Sequence, residues 1–254
     1  NYDDIMINFG KWYYDDDFTP TGEMFDVGNT CSTAIDNYFV KKKPINLCGL
    51  DNEHSNGNGS LMRIHPLVLY LYTREDLSIE EKIEIIHSVS ALTHAHERSK
   101  IACGIYAFVL WSILDKKDKF HSIRSGLSKA RKFYGGKYEE ISHYSNLFRR
   151  IAQLDRHYED VDTFRPATVD EIKSGGYVVH TLEAAIFCLL HSKSYEHCVL
   201  SAVNLGDDTD TVGAVAGGLA GALYGLDSIP EKWLNDLKRK DYIEDMCEKA
   251  LKSW

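Results

Sequence analysis

Within residues 212–223, the longest apolar run of this chain, glycine recurs at every fourth position. Gly213, Gly217 and Gly221 fall in line along a helix, Gly225 continues the spacing, and Ala214, Ala216, Ala220 and Ala222 fill the gaps. Each glycine costs a helix about 1 kcal/mol relative to alanine, so a packing gain must offset several of them. A face without side chains lets neighbouring helices approach closely. The segment is therefore expected to be the central helix of a bundle, packed on several sides. A membrane dimer of the G-x-x-x-G type is the weaker reading, because the run falls well short of the ~20 residues a spanning helix needs.

The rest of the sequence agrees with a bundle. Apolar residues recur at helical spacing almost throughout, and no segment alternates with the period of a strand. Helices are expected at about 3–15, 28–40, 60–73, 79–92, 97–115, 121–133, 144–157, 177–192, 195–204, 211–224 and 236–252. Ser78 with Glu81 and Thr168 with Glu171 have the spacing of capping boxes. Lys43-Pro44, Ser55-Asn56-Gly57-Asn58-Gly59, Gly135-Gly136, Gly175-Gly176 and Ile229-Pro230 break the pattern. No repeat, low-complexity tract or linker divides the chain, so residues 1–254 are read as one all-α domain, a compact multi-helix bundle. The helical pattern begins almost at Asn1, which leads us to expect an N-terminally incomplete domain.

Composition narrows the partners. With 44% hydrophobic and 26% charged residues the chain can bury a core, and disorder is not expected. Lys and Arg number 29 against 38 Asp and Glu, a net charge of −9, which argues against broad nucleic-acid binding. None of Cys31, Cys48, Cys103, Cys188, Cys198 and Cys247 forms a C-x-x-C pair, so reduced thiols in a cytoplasmic protein are expected. No membrane partner is expected, and the sequence leaves the oligomeric state open.

The chemistry is concentrated in Asn204-Leu205-Gly206-Asp207-Asp208-Thr209-Asp210-Thr211, directly before the glycine helix. Crowded carboxylates repel one another, and a helix N-terminus needs only one of them. A hard divalent cation, Mg²⁺ or Mn²⁺, would relieve the repulsion, since such ions take several oxygen ligands. Asp208 and Asp210 can converge on one ion, with the Thr211 hydroxyl as a third oxygen. The plainer alternative is that the acids simply favour the helix dipole.

At this loop the chain resembles the ADP-ribosylglycohydrolases. Gly206-Asp207-Asp208-Thr209-Asp210-Thr211-Val212-Gly213-Ala214, continuing to Gly217 and Gly221, is similar to that family's C-terminal metal motif. Further segments match in order. Phe25-Asp26-Val27-Gly28-Asn29-Thr30 resembles F-D-I-G-N-T, and Asn56-Gly57-Asn58-Gly59-Ser60-Leu61-Met62-Arg63 resembles a glycine-rich loop. Leu92-Thr93-His94-Ala95-His96 resembles a T-H-x-H segment, and Gly176-Tyr177-Val178-Val179 with Thr181-Leu182-Glu183-Ala184-Ala185 resembles the helix before the last motif.

The resemblance implies an all-α bundle of that family's type. It makes Asp208, Asp210 and Thr211 metal ligands, and gives Asp26, together with Asp208, a catalytic role at the ribose bond. It places Asn29, Gly57, Asn58, Gly59, Ser60 and His94 against ADP-ribose. Taken alone, each has an ordinary alternative. Asn29 suits a helix cap, Asn-Gly-Asn-Gly a flexible turn, His94 and His96 a core, and Arg63 either a phosphate or a carboxylate.

The chain departs from the family pattern at its start. An N-terminal T-D-D-T motif is missing, and Tyr2-Asp3-Asp4-Ile5 lacks both threonines, so half of a two-ion site is absent from these residues. One ion, or none, is then expected here. Asp207 replaces a small residue and His180 stands where Asp is frequent. The resemblance implies a metal-dependent hydrolase that cleaves the glycosidic bond between ADP-ribose and a protein side chain or small acceptor. In the complete site, two ions engage ribose hydroxyls and position water while a carboxylate assists. The alternatives are an inactive relative that binds ADP-ribose or a protein partner, and a scaffold with an acidic helix cap.

Overall fold

A computed structural model describes residues 1–115, 118–138, 148, 151 and 169–254. Helices α1 (Tyr2–Asp15), α2 (Asn29–Phe39), α3 (His65–Thr73), α4 (Ile79–Ala91) and α5 (Glu97–Leu114) form within a residue or two of the expected spans, apart from a late start to α3. They are followed by α6 (Lys119–Tyr138), α7 (Val178–His191), α8 (Tyr195–Val203), α9 (Thr209–Tyr224), α10 (Glu231–Asp236) and α11 (Lys240–Ser253). Among the described residues there is no strand, only the isolated bridges Leu50–His94 and Gly57–Tyr177. The fold is all-α. The helix expected at 144–157 and the cap at Thr168 lie outside the described residues, and Glu171 ends a 3₁₀ turn, Val169–Glu171.

Two expected helices are divided. The span 60–73 becomes a 3₁₀ turn, Leu61–Arg63, and then α3, because Pro66 has no N–H to extend a helix from upstream and instead suits a first turn. The span 236–252 breaks before α11 at Arg239, which is left-handed with φ 54°. Its guanidinium Nη1 donates to the Thr19 carbonyl at 2.9 Å, a contact with the other end of the chain. Elsewhere local rules suffice. The Ser78 hydroxyl accepts from the Glu81 N–H at 3.2 Å, and the Glu81 carboxylate accepts from the Ser78 N–H at 2.8 Å, closing the capping box.

The innermost helix is α5, not the glycine helix. Every residue from 101 to 113 is buried, as expected of a helix apolar all round. Helices α3, α4, α6, α7 and α9 pack around it. The glycine helix α9 lies against α5, α7 and α8 but leaves Ala214 exposed.

Its glycine line does what the spacing implies. A Cβ at Gly213 would come 3.1 Å from Val203, and one at Gly217 would come 3.5 Å from Tyr195 and 3.6 Å from Val199, all on α8. Gly225 instead ends the helix, with φ 83°. The tightest approach is at Gly218, off the four-residue line, where a Cβ would meet the Tyr106 hydroxyl at 2.7 Å. No helix among the described residues is long and apolar enough to cross a membrane.

Candidate functional site

The acidic loop enters α9 through two left-handed residues, Gly206 (φ 86°) and Asp207 (φ 52°). Glycine takes this conformation freely, and aspartate is one of the few side chains that tolerate it. The turn is pinned from behind by Ser174. The Ser174 carbonyl accepts from the Asp208 N–H at 3.2 Å, and the Ser174 hydroxyl donates to the Leu205 carbonyl at 3.4 Å. Asp208 is therefore the N-cap residue of α9, and Asp210 and Thr211 lie in its first turn.

The Asp208 side chain does not cap its own helix. No cap hydrogen bond forms, and Oδ2 instead accepts from Asn58 Nδ2 at 2.7 Å. Asp210 is exposed and makes no hydrogen bond or ion pair among the described residues, whereas Thr211 is buried. Neither acid behaves as a simple cap.

Asn58 belongs to the loop Asn56-Gly57-Asn58-Gly59-Ser60, which is held on every side. The Asn56 carbonyl accepts from the Val178 N–H and the Asn58 N–H donates to the Gly176 carbonyl, each at 3.0 Å. Ser99 donates to Asn56 Oδ1 at 3.1 Å, and Ser90 donates to the Ser60 hydroxyl at 2.9 Å. This is not a flexible turn. Its glycines are needed because an imidazole lies against them. A Cβ at Gly57 would sit 3.3 Å from His94 Nε2, and one at Gly59 would sit 3.0 Å from both His94 Cε1 and Cys31 Sγ.

His94 and His96 lie in the link between α4 and α5, with His96 as the N-cap of α5. His94 is 2% exposed and joins a hydrogen-bond chain that begins at Arg63. Arg63 donates to the Gly59 carbonyl at 2.7 Å and to the Thr93 hydroxyl at 2.8 Å, with its guanidinium 4.8 Å from the Phe9 ring centroid. Arg63 thus serves the loop, and it pairs with no carboxylate among the described residues. The Thr93 hydroxyl also lies 2.7 Å from His94 Nδ1, which ties the imidazole to the same network.

Burial first, and the Arg63 charge second, hold the His94 imidazole down to about 3. Burial alone takes His65, whose Nδ1 lies 2.7 Å from the Tyr106 hydroxyl, down to about 4. Both values are depressed below the ordinary 6.5, so the unfolded chain binds more protons over that interval. The stabilisation is present above pH 6.5 and is lost as pH falls towards 4 and then 3. Denaturant melts at stepped pH should show this loss, and proton NMR should show neither ring titrating between pH 5.5 and 8. A ring that titrates near 6.5 would contradict the burial described here.

The two remaining candidates lie at the start of α2. Asp26 is exposed and left-handed (φ 50°), Gly28 rather than Asn29 is the N-cap of α2, and Asn29 opens that helix on the solvent side. The Asp26 carboxylate makes no hydrogen bond to a described residue. Helix α2 reaches the glycine loop through Cys31. Asp3, in the rejected N-terminal candidate, accepts from the Tyr38 hydroxyl at 2.8 Å and serves the contact between α1 and α2.

Two features escaped the sequence reading. Thr181 accepts from Asn58 Nδ2 at 2.9 Å, and Arg98 lies 5.6 Å from the Tyr177 ring and 3.5 Å from Glu53 beside Gly57. Thr181 stood inside a quoted segment, but nothing local marks a helical threonine as the acceptor of an amide in another loop.

Among the described residues no three His, Cys, Asp or Glu side chains gather into a metal cluster. The Asp208, Asp210 and Thr211 set is smaller and all oxygen. That donor chemistry fits a hard ion that keeps several waters and takes only one or two carboxylates.

The family model for ADP-ribosylglycohydrolase matches residues 1–254. The chain belongs to the ADP-ribosylglycohydrolase family. This ADP-ribosylglycohydrolase domain is 28% identical over 238 residues to the ADP-ribosylarginine hydrolase Tri1 of Serratia proteamaculans, covering 94% of this chain and 57% of that protein. It is also 28% identical to the ADP-ribosyl-[dinitrogen reductase] glycohydrolase of Rhodospirillum rubrum, covering 93% of this chain and 66% of that one. A solved structure, an ADP-ribosylglycohydrolase-related protein complex, superposes with a TM-score of 0.69 at 26% identity, over 96% of this chain and 71% of its own. The chain thus spans little more than half the length of the Tri1 relatives.

Proposed function

We propose that the whole protein hydrolyses the glycosidic bond between ADP-ribose and a protein side chain or small acceptor, using Mg²⁺ or Mn²⁺ held by Asp208, Asp210 and Thr211. One observation carries this reading. The Asp208 carboxylate leaves its own helix unsatisfied and is held by Asn58, where the glycine loop, α7 and α9 meet. The names of the relatives support the substrate class, and arginine-linked ADP-ribose is the first substrate to assay.

When bound, the ion supplies Lewis acidity and a template for ribose hydroxyls. The chain supplies the rest. Asp208 and Asp210 present oxygen donors at the N-terminus of α9, and the buried loop 56–60 forms a rigid wall behind them. Asp26 is assigned as the carboxylate that assists departure of the acceptor, and Asn29, Gly57 and Gly59 as the surface towards ADP-ribose, while Ser60 and His94, both buried, support the glycine loop from within. The six free cysteines fit a reducing, cytoplasmic setting.

The test is release of free ADP-ribose from an ADP-ribosylarginine-modified protein by the full-length protein. Release with Mg²⁺ or Mn²⁺ and its loss on chelation are expected. No release with either ion, but calorimetric heat on adding ADP-ribose, would replace the hydrolase with a binding module.

A further inference from the structure

We propose that Asn58 and Thr181 form a directional clamp that sets the rotamer of Asp208, which makes both of them positioning residues for its free carboxylate oxygen. The inference rests on the metal reading above and revises the part of Asn58 within it.

The direction of every hydrogen bond in the clamp is determined. An asparagine amide nitrogen carries two hydrogens. One goes to Thr181 Oγ1 at 2.9 Å and the other to Asp208 Oδ2 at 2.7 Å. Reversing the amide would set its oxygen against a carboxylate oxygen, acceptor on acceptor, so the nitrogen must face Asp208. The single Thr181 hydroxyl hydrogen is shared between the carbonyls of Gly175 (3.3 Å) and Tyr177 (3.4 Å), which leaves a lone pair for Asn58. No N–H of the Asn58 side chain remains for a substrate. The chain of donors ends on Oδ2, and Oδ1 has no partner among the described residues.

The backbone gives this clamp little slack. Asn58 and Asp208 are both tied to one short segment, through Gly176 and Ser174 respectively. Asn58 is 8% exposed and Thr181 fully buried, so water competes poorly for either bond. Gly176 completes the fit, since a Cβ there would lie 3.3 Å from Asp208 Oδ2. A carboxylate held at one oxygen cannot rotate freely, and its other oxygen is presented to an ion at no further entropic cost. Partners that orient ligands in this way typically account for about 10- to 100-fold in metal affinity.

The test measures Mn²⁺ alone binding to the full-length protein, by paramagnetic resonance of the free ion, alongside melting without metal. Thr181→Val keeps the shape but removes the acceptor, and Mn²⁺ affinity should fall by about 10- to 100-fold. Thr181→Ser keeps the hydroxyl and should restore affinity close to that of the unmodified protein. If Thr181→Val does not fold, Gly176→Ala poses the same question, because its methyl group would displace Oδ2 from an exposed backbone position.

A purely structural role predicts a lower melting temperature with unchanged Mn²⁺ affinity, and that outcome in a folded variant overturns the clamp. If the unmodified protein takes up no Mn²⁺, the metal reading fails and the clamp fails with it. If the unmodified protein and Thr181→Val bind equally, only the clamp fails.

Discussion

Asp210→Ala in the full-length protein should lower kcat/KM for ADP-ribose release by more than about a hundredfold, because loss of a direct ligand exceeds the cost of losing an orienting partner. The same change should leave the fold nearly intact. Asp210 is exposed, and no described residue bonds to its carboxylate. Its one evident structural contribution is a negative charge in the first turn of α9, worth about 0.3–1 kcal/mol. A large loss of turnover with a small loss of stability is the signature of a ligand. Steady-state kinetics with thermal melts on the same preparation checks both, and turnover equal to that of the unmodified protein would end the metal assignment. Asp208→Ala should differ by also lowering the melting temperature, since it strands an N–H of Asn58.

Gly126→Ala should be among the most damaging single methyl groups that can be added to this fold. Gly126 lies where α6 crosses the buried helix α5, and a Cβ there would come 2.5 Å from Val109 Cα and 2.7 Å from the Phe108 carbonyl. Both are backbone atoms, so no rotamer change relieves the clash and the helices must separate. Overpacking of this kind costs about 3 kcal/mol or more, against about 1 kcal/mol recovered in helix propensity. The net cost of about 2 kcal/mol should lower the melting temperature by roughly 4–8 °C, given about 2–4 °C per kcal/mol at this size. Gly135→Ala in the same helix is the control. No described atom lies within 4 Å of its Cβ, so the melting temperature should hold or rise. Equal melting of the two variants would show that the α5–α6 crossing is looser than described.

Legibility in the sequence followed the range of the interaction. The Ser78–Glu81 box was readable because its two hydrogen bonds close within four residues. Arg63 was not readable in the same way. Its residue type suits an anion, yet its partners are the carbonyl of its own loop and a threonine on the α4–α5 link. The glycine spacing of α9 correctly marked close packing on α8 but could not rank helices by depth, and α5 proved deeper.

By itself the sequence determined most of the described helices, the Ser78 cap, the all-α class and the family, since periodicity and motif order reside in neighbouring residues. Only the tertiary structure decided which atoms meet. Asn58 reaches Thr181 and Asp208 across 123 and 150 residues, and Arg239 reaches Thr19 across 220. Those contacts arise because the bundle packs its helix ends together, and no local preference of the backbone encodes where a distant end will lie.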